Sequence, residues 1–408
     1  MGNLPPAAVL TPDADIRELF MELVAIPSPS GRERVLAQQI ADWLSDAGVQ
    51  SRFDGTGTRN GSDAGNLIAT VPGAPELPTL LFVAHMDTVE SGVEPVRPHH
   101  GEDGVIRSAG ETILGADNKS AVAALMRACR AAQRLPAPRR PTVIAALTSR
   151  EESGRMGASL LDTEALGVDC AFCVDGSQPI GTVITRALGQ TTFVVAVHGR
   201  AAHAAANPEG GVDAIATAAE AIAAIPLGRQ PGGGSASVAA IVGGSVIDRL
   251  GSDETPVREA LAAAPTNSVP DVAFLRGEVR GYSVEAIERT TDGIEQTFRR
   301  TCDARGATCE WTRDRERMVP PLPGAPESRA LAMVRAAVAG LPEVDLELRE
   351  AQATLEANYL AASVDVVAVA SGGRGPHQTS ESIAVAELEQ LEALLTAIVA
   401  LAGGRAGS

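Results

Sequence analysis

The segment TVIAALTSREESG, residues Thr142–Gly154, joins a short apolar run to two adjacent glutamates, Glu151 and Glu152. A short apolar run rich in β-branched residues and bounded by polar ones is typical of a buried strand. Two neighbouring carboxylates at its end are unusual, because the charge of each disfavours ionisation of the other. A bound cation or a proton-transfer task relieves that repulsion. The segment therefore predicts a metal-binding or acid–base site at the end of a sheet.

A histidine and an aspartate close a second apolar run upstream. His85 ends the run Thr79–His85, and Asp87 follows two positions later. Side chains at i and i+2 lie on the same face of a strand, so Asp87 can accept the second ring N–H of His85 and fix its tautomer. A lone histidine here would more often be an ordinary core residue, and the aspartate beside it favours a metal ligand.

Three further candidates lie where they can reach the same edge of the sheet. Asp117 begins an Ala-rich helical segment, and its alternative role is an ordinary helix cap. Asp175 closes another apolar run, and His377 lies in a Gly-rich loop, where the alternative is a solvated histidine. Imidazole and carboxylate ligands suit zinc, cobalt or manganese. Two such ions about 3.5–4 Å apart can activate water for amide hydrolysis while a carboxylate moves the proton.

The order of apolar runs predicts an α/β domain. Helices alternate with short strands through the first part of the chain, which favours a sheet with helices on both faces. Two helices are expected within residues 13–46, the first capped by Asp13, and another over 117–133. The expected strands are 66–71, 79–85, 142–148 and 171–175.

A different pattern begins near residue 189. Strands are expected at 191–198, 236–242, 272–280 and 307–313, and helices at 212–225 and 284–300. This βαββαβ order predicts a smaller α+β domain inserted into the larger one. The Pro-rich segment Pro320–Gly324 marks the return to the larger domain. The expected domains are 1–188, 189–316 and 317–408.

Composition excludes several classes of partner. A chain of 408 residues is too long for one compact core, so two domains are expected. The formal net charge of −17 opposes binding to nucleic acid or to anionic membranes, which require a basic surface. No run reaches the roughly 18 apolar residues of a membrane-spanning helix, and no secretion signal is visible. We expect a soluble cytoplasmic protein.

The cysteines do not form a disulfide framework. Their number, five, is odd and their spacing is irregular. Cys170 and Cys173 have the CxxC spacing, but no second pair or flanking histidine completes a zinc site. We expect them to pack within a strand and to stay reduced.

Several short motifs, in order from about residue 15 to 400, resemble those of a known family. This is the co-catalytic zinc metallopeptidase family of peptidase T, carboxypeptidase G, acetylornithine deacetylase and aminoacylase. The resemblance is greatest to the peptidase T-like branch. The motifs are His85–Val89, Ile113–Lys119, Glu151–Gly154, Val174–Gly176, Ala201–Ala204, Asn267–Pro270 and His377–Glu381.

The resemblance implies a fold and a set of site residues. The fold is a zinc-exopeptidase-type sheet with helices on both faces, interrupted by a lid and dimerisation domain. Two divalent ions are implied, zinc first, with cobalt or manganese as alternatives. Asp117 would bridge the two ions, Glu151 would be the general base and acid, and Asp87 would orient a ligand. The implied ligands are His85, Asp117 and Asp175 for one ion, and Asp117, Glu152 and His377 for the other.

The smaller domain would supply substrate contacts. By resemblance, His203 would polarise the scissile carbonyl, as a residue of the partner subunit in a homodimer formed through this domain. Arg280 would bind a substrate carboxylate, and Asn267 would contact the same region. An exposed strand arginine without a ligand is the alternative for Arg280.

Three features depart from the family pattern. Asn118 replaces a second aspartate after Asp117, at a position that does not bind metal. The Ser-Asp-Ala-Asn segment of peptidase T-like sequences is here Leu355–Asn358. A polar insertion, Ser245–Pro265, lies beside Asn267 and is either a tolerated surface loop or a contributor to substrate recognition.

We therefore expect a metal-dependent hydrolase that cleaves an amide bond in a short peptide or an N-acyl amino acid. One alternative is a biosynthetic deacylase of the same chemistry, acting on a dedicated metabolite or carrier-bound substrate. A second is a catalytically silent binding protein on the same fold. Silence requires loss of a ligand or of the base, and neither is missing from this sequence.

Overall fold

The computed structural model describes residues 10–90, 95–246, 257–313, 318–324 and 328–404. The chain divides into two compact units. The larger comprises Met1–Arg186, Gly324–Ala351 and Leu355–Ser408, and the smaller comprises Ala187–Pro323 and Gln352–Thr354. The expected boundary at 316/317 falls outside the described residues. The roles of lid and dimerisation domain stay predictions.

Helices and strands are numbered here in chain order. The helices are α1 (Ile16–Val24), α2 (Arg34–Asp46), α3 (Gly57–Asn60), α4 (Ala116–Arg134), α5 (Ala214–Ala224), α6 (Val257–Ala262), α7 (Val284–Arg305), α8 (Arg329–Val338), α9 (Ala357–Leu360) and α10 (Val385–Ala402). The strands are β1 (Gln50–Phe53), β2 (Leu67–Val71), β3 (Thr79–His85), β4 (Pro98–His100), β5 (Val105–Ser108), β6 (Thr142–Thr148), β7 (Cys170–Val174), β8 (Thr182–Ala187), β9 (Gly189–His198), β10 (Gly228–Arg229), β11 (Ser235–Gly243), β12 (Val272–Gly281), β13 (Thr308–Arg313), β14 (Glu347–Ala351), β15 (Asp365–Val369) and β16 (Ser382–Ala384).

A mixed sheet forms the centre of the larger unit. Its eight described strands run in the order β1-β2-β6-β3-β7-β15-β8-β14. The central neighbours β6, β3, β7 and β15 are parallel, whereas β1, β2 and β8 join their neighbours antiparallel. Parallel strands buried on both faces need near-continuous apolar sequence. The runs that form β3, β6 and β7 meet that need, which confirms the predicted α/β fold class.

Small and aromatic side chains share the packing of this unit. Phe82 of β3 lies in register with Phe172 of β7, and their rings stack with centroids 5.0 Å apart. The Ala-rich α4 packs against β3 and β6 on one side and contacts α1 and α10. Alanines such as Ala121 and Ala128 are fully buried, so the helix can approach the sheet closely. Cys170 and Cys173 are buried within β7 and are not in a disulfide.

The cap of the first helix differs from the prediction. Asp15, not Asp13, precedes α1, and its Oδ1 accepts the backbone N–H of Glu18 at 2.8 Å. The Glu18 carboxylate accepts in return the backbone N–H of Asp15 at 3.4 Å, which completes a capping box. The expectation of Asp13 was wrong because the reciprocal bond requires the acidic partner three residues after the cap.

The smaller unit is a two-layer α+β structure. Its five described strands are antiparallel neighbours in the order β10-β11-β12-β9-β13. Residues of β12 alternate between buried and more exposed positions, as expected of a strand with one face against helices. Helices α5 and α7 pack on that face. Phe193 and Trp311 stack in its core with ring centroids 4.7 Å apart.

Two further observations concern the predicted insertion and membrane contact. Residues 247–256 of the Ser245–Pro265 insertion lie outside the described residues, and the remainder includes α6. Within the described ranges, every helix is too short or too polar to span a lipid bilayer.

Candidate metal centre

The candidate residues follow neighbouring parallel strands. Strand β3 lies between β6 and β7 and is parallel to both. In this register His85, at the end of β3, pairs with Thr148, at the end of β6. Because parallel strands end at the same edge of a sheet, the segments after β6 and β7 bring Glu151 and Asp175 near His85.

His85 faces two carboxylates through one ring nitrogen. Its Nε2 lies 3.1 Å from Oδ1 of Asp117 and 3.9 Å from Oδ1 of Asp175. Its Nδ1 donates to the backbone carbonyl of Asp87 at 2.9 Å. A neutral imidazole protonated at Nδ1 carries its lone pair on Nε2, the atom that faces the carboxylates. The backbone therefore selects the tautomer that a metal ligand requires.

His377 faces the other oxygen of Asp117. Its Nε2 lies 2.9 Å from Oε1 of Glu152 and 3.6 Å from Oδ2 of Asp117. Asp117 thus directs one carboxylate oxygen toward each histidine. Its backbone N–H donates to Oε1 of Glu381 at 2.9 Å, which anchors the segment that carries it.

Asp87 is fully buried and holds the segment that carries both glutamates. Its Oδ1 accepts the backbone N–H of Glu151 at 2.9 Å, and its Oδ2 accepts that of Glu152 at 3.1 Å. The carboxylate lies 3.7 Å from Nδ1 of His85. From the sequence, this carboxylate is predicted to accept the ring N–H of His85. The shorter contact goes instead to the backbone carbonyl of Asp87.

Burial disfavours the ionised form of three acidic side chains in the site. It raises the pKa of Glu151, and it raises the pKa of Glu152 to about 7. Burial, reinforced by the charge of Asp117, raises the pKa of Asp175 well above its usual range. The site thus carries more buried carboxylates than its two histidines can compensate.

The two histidines and Asp117 stabilise one another as ions. Burial opposes ionisation of Asp117, but hydrogen bonds with His377 and His85 hold its pKa far below the usual value. The hydrogen bond with Asp117 raises the pKa of His377 to about 9. Against the effect of burial, the hydrogen bond with Asp117 and the nearby carboxylate of Asp87 raise the pKa of His85 well above its usual value. Positive charge is therefore favoured where the histidines meet Asp117.

These residues fit a pair of divalent cations. Among the described residues, three overlapping groups place their donor atoms within 4.8 Å of one another. Ionised carboxylates and neutral imidazoles are the ligands that zinc-type ions bind, and cations would offset the excess of buried acidic groups. The groups are His85, Asp117 and Asp175; His85, Glu151 and Glu152; and Asp117, Glu152 and His377.

The smaller unit contains the three predicted substrate contacts, at two different places. Exposed His203 accepts at Nδ1 the backbone N–H groups that follow it, so its ring proton lies on Nε2. Asn267 is its neighbour, because the Asn267 carbonyl accepts the N–H of Ala204 at 2.9 Å. Arg280 lies near the far end of β12, where its Nε donates to Oε1 of Glu278 at 2.8 Å. Asn267 and Arg280 thus lie toward opposite ends of β12 within one copy of this unit, and their contact with one substrate region stays a prediction.

Three buried glutamates near these segments were not among the predicted site residues. Glu381 anchors the start of α4, where Oε2 accepts the N–H of Gly115 at 2.6 Å. Glu33 accepts the backbone N–H of Arg150 at 3.0 Å, beside the glutamate pair. Glu356 is fully buried, and burial raises its pKa to about 8, an effect that the charge of His85 offsets only in part. Glu381 closes the His377–Glu381 motif, whereas no local sequence signal distinguishes Glu33 and Glu356 from exposed glutamates.

Comparison with known proteins agrees with this geometry. Residues 81–401 match the profile of Peptidase family M20/M25/M40. The uncharacterized protein YqjE of Bacillus subtilis is 29% identical over 385 residues, which cover 94% of this chain and 96% of that protein.

Two solved structures extend the likeness to the whole fold. The aminopeptidase PepT from Bacillus cereus superposes with a TM-score of 0.83 at 29% identity, covering 95% of this chain and 98% of that one. A tripeptidase from Staphylococcus aureus superposes with a TM-score of 0.82 at 25% identity, covering 97% and 99%. The predicted resemblance to the peptidase T-like branch is confirmed. The chain belongs to Peptidase family M20/M25/M40 and is a peptidase T-like metallopeptidase.

Proposed function

We propose that this chain cleaves the amide bond of short peptides or N-acyl amino acids at a centre that holds two divalent ions, preferably zinc. The observation that carries this proposal is the orientation of Asp117, whose two oxygens face His85 and His377 separately. When bound, the ions would polarise the scissile carbonyl and lower the pKa of the attacking water. The proposed ligands are His85, Asp117 and Asp175 for one ion, and Asp117, Glu152 and His377 for the other.

In this proposal Glu151 is the general base and acid. Burial raises its pKa, so its carboxylate accepts a proton from the attacking water more readily than an exposed glutamate would. The protonated form then donates to the leaving amine. Its backbone N–H is held by Asp87, and Nη1 of Arg155 lies 3.7 Å from its Oε1. Glu152, one residue away, serves as a ligand, so two neighbours in different environments divide the two tasks.

The smaller unit would complete the site only in a dimer. Asn267 precedes β12, and Val272 to Arg280 of that strand extend about 26 Å at the usual rise per residue. An extended tripeptide spans only about 10 Å. One copy of this unit therefore cannot present both ends of β12 to the same small substrate. We infer that His203 and Asn267 of one protomer and Arg280 of the other serve one site, in a homodimer.

Metal analysis combined with mutation of the base tests the catalytic part of this proposal. Glu151→Gln should retain the wild-type content of bound zinc while kcat falls by at least about a thousandfold, because proton transfer is lost. A matched Glu164→Gln variant changes an exposed glutamate and should leave both quantities unchanged. Near wild-type turnover of Glu151→Gln would remove Glu151 as the base.

Mixing two impaired variants, at a trialanine concentration where neither alone has appreciable turnover, tests the shared site. His203→Ala and Arg280→Ala would each lack one contact at every site of their own homodimers. After subunit exchange at equal amounts, half of the dimers would be mixed, and each mixed dimer would have one intact site. The mixture should therefore recover about a quarter of wild-type activity. No recovery, with subunit exchange demonstrated, would contradict the shared site.

A substrate panel tests specificity. Trialanine, its C-terminal amide and N-acetylalanine distinguish a peptidase for free amino termini from a deacylase. We expect trialanine to be the best of the three, and Arg280→Ala to raise KM for trialanine more than for its amide. Preference for N-acetylalanine would favour the deacylase alternative.

A further inference from the structure

The segment Ser149–Glu152, here named the base-bearing segment, is held by side chains rather than by a strand or helix. Each of its four consecutive backbone N–H groups donates to a side-chain oxygen from a distant part of the chain. The N–H of Ser149 donates to Oδ1 of Asn66 at 3.1 Å, and that of Arg150 donates to Oε1 of Glu33 at 3.0 Å. The N–H groups of Glu151 and Glu152 donate to Oδ1 and Oδ2 of Asp87 at 2.9 and 3.1 Å.

One residue of this segment has a disfavoured backbone conformation. Arg150 has φ of 57°, in the left-handed region that non-glycine residues rarely adopt. Such a conformation persists only where its surroundings hold it in place. The N–H of Arg150 is the group that Glu33 accepts, and Nη1 of its side chain donates to the carbonyl of Asn60 at 2.6 Å. Glu33 thus anchors the residue immediately before Glu151.

Buried hydrogen-bond donors surround the Glu33 carboxylate. Glu33 is fully buried and precedes α2, yet its side chain does not cap that helix. Its Oε1 also accepts the N–H of Gly31 at 2.7 Å, and its Oε2 accepts the hydroxyl of Ser62 at 2.6 Å. Each carboxyl oxygen therefore has a donor, as a buried acidic group requires. The anchor lies 117 positions from Arg150 in the sequence.

We propose that Glu33 is a positioning residue, which fixes the backbone of the base-bearing segment so that the Glu151 carboxylate meets the attacking water. The proposal rests on the proposed role of Glu151 as base. Asp87 anchors the segment on the side of the histidines, and Glu33 anchors it at the preceding residue. Loss of one anchor allows the left-handed residue to relax toward commoner conformations, which displaces the base without removing any group that touches substrate.

Variants of Glu33 and one control separate positioning from simple loss of stability. Glu33→Ala removes the acceptor. Glu33→Gln keeps one oxygen for the N–H groups of Arg150 and Gly31. Its amide cannot accept the Ser62 hydroxyl, whose oxygen already accepts two backbone N–H groups. Asp365→Ala is the control, because Asp365 also accepts a serine hydroxyl and a backbone N–H, from Ser328 and Ala330 at the start of α8. If Glu33→Ala does not fold, Glu33→Asp keeps the charge but shortens the reach by one methylene.

The first readout uses metal-free protein and no substrate. Hydrogen–deuterium exchange of the peptide that contains residues 149–152 should be at least about tenfold faster in Glu33→Ala than in wild type, because a hydrogen bond that restrains these amides is lost. Glu33→Gln and Asp365→Ala should exchange there within about twofold of wild type. Unchanged exchange in Glu33→Ala would overturn the proposal.

The second readout is kinetic, in zinc-loaded protein. For Glu33→Ala, kcat should fall about 10- to 100-fold, as expected for displacement of a catalytic group by roughly 1 Å, with KM within about threefold and zinc content unchanged. Glu33→Gln should restore most of kcat. Wild-type kcat in Glu33→Ala, or a loss of activity explained by lost zinc, would contradict positioning of the base. Should Glu151→Gln prove fully active, the proposed function fails, whereas the exchange result still decides whether Glu33 anchors the segment.

Discussion

Asp87→Asn tests whether the Asp87 carboxylate fixes the backbone of Glu151 and Glu152. Asp87 is fully buried, and each carboxylate oxygen accepts one backbone N–H, from Glu151 and Glu152. Asparagine offers one oxygen and one NH₂ group, so one of these N–H groups must face a donor. A lost hydrogen bond to a charged acceptor and a buried donor left unpaired each destabilise by about 1–3 kcal/mol. The free energy of unfolding should therefore fall by about 3 kcal/mol.

The same change should weaken the metal centre. The backbone carbonyl of Asp87 accepts the Nδ1–H of His85, and displacement of this segment also moves Glu152. Loss of such supporting contacts typically lowers metal affinity by about 10- to 100-fold. Zinc affinity, measured by competition with a chromophoric chelator, should fall by that amount.

Unfolding of the larger unit can be followed selectively. The chain has two tryptophans; Trp43 is buried in the larger unit and Trp311 lies in the smaller one. In a Trp311→Phe background, fluorescence during urea unfolding of metal-free protein reports on the larger unit. Asp365→Asn is the matched control for a carboxylate that accepts a backbone N–H, and should leave zinc affinity unchanged. If Asp87→Asn keeps both its unfolding free energy and its zinc affinity, the assigned role of Asp87 is wrong.

The remaining predictions concern pH, packing and metal removal. Burial raises the pKa of Glu356 from 4.5 to about 8, so the stability that the protonated carboxyl group provides below pH 4.5 is lost as the pH rises toward 8. At pH 8, metal-free Glu356→Gln should therefore be more stable than wild type by up to about 4 kcal/mol. Equal unfolding free energies of the two proteins at pH 8 would refute this. A Cβ on Gly157 would lie 2.5 Å from Oδ1 of Asn66 and from the carbonyl oxygen of Ser149, so Gly157→Ala should destabilise the larger unit by about 1–3 kcal/mol. The control Gly293→Ala, where a Cβ meets open space on a helix, should not destabilise the protein. Equal melting temperatures of Gly157→Ala and wild type would count against this packing. Chelation should abolish peptide hydrolysis, and Zn²⁺, Co²⁺ or Mn²⁺ should restore it; full activity in metal-free protein would refute metal dependence.

The strands that dominate the larger sheet could be read from the sequence because their apolar runs are continuous. Thr79–His85 and Thr142–Thr148 have the bounds predicted for them. Strand β15, Asp365–Val369, was not predicted, although it lies centrally between β7 and β8. Its apolar run, Val366–Ala370, has only five residues, and periodicity alone does not distinguish so short a run from a segment of a buried helix. Short edge strands such as β1 carry too few residues for a periodic signal.

The candidate site could be anticipated where function requires a particular side chain at the end of a strand. His85 and the glutamate pair follow apolar runs, so their position at the sheet edge follows from local sequence. Glu33 could not be anticipated, because its partners are backbone amides far away in the chain. The same limit applies to the separation of Asn267 and Arg280 along β12, which depends on the fold of the smaller unit rather than on spacing in the sequence.

The most direct test is to locate bound metal in a zinc-loaded crystal by anomalous diffraction at the zinc edge. We predict two peaks about 3.5–4 Å apart, one between His85 and Asp175 and the other between Glu152 and His377, with Asp117 in contact with both. A single peak, or ions bound away from these side chains in a fully active preparation, would contradict the account.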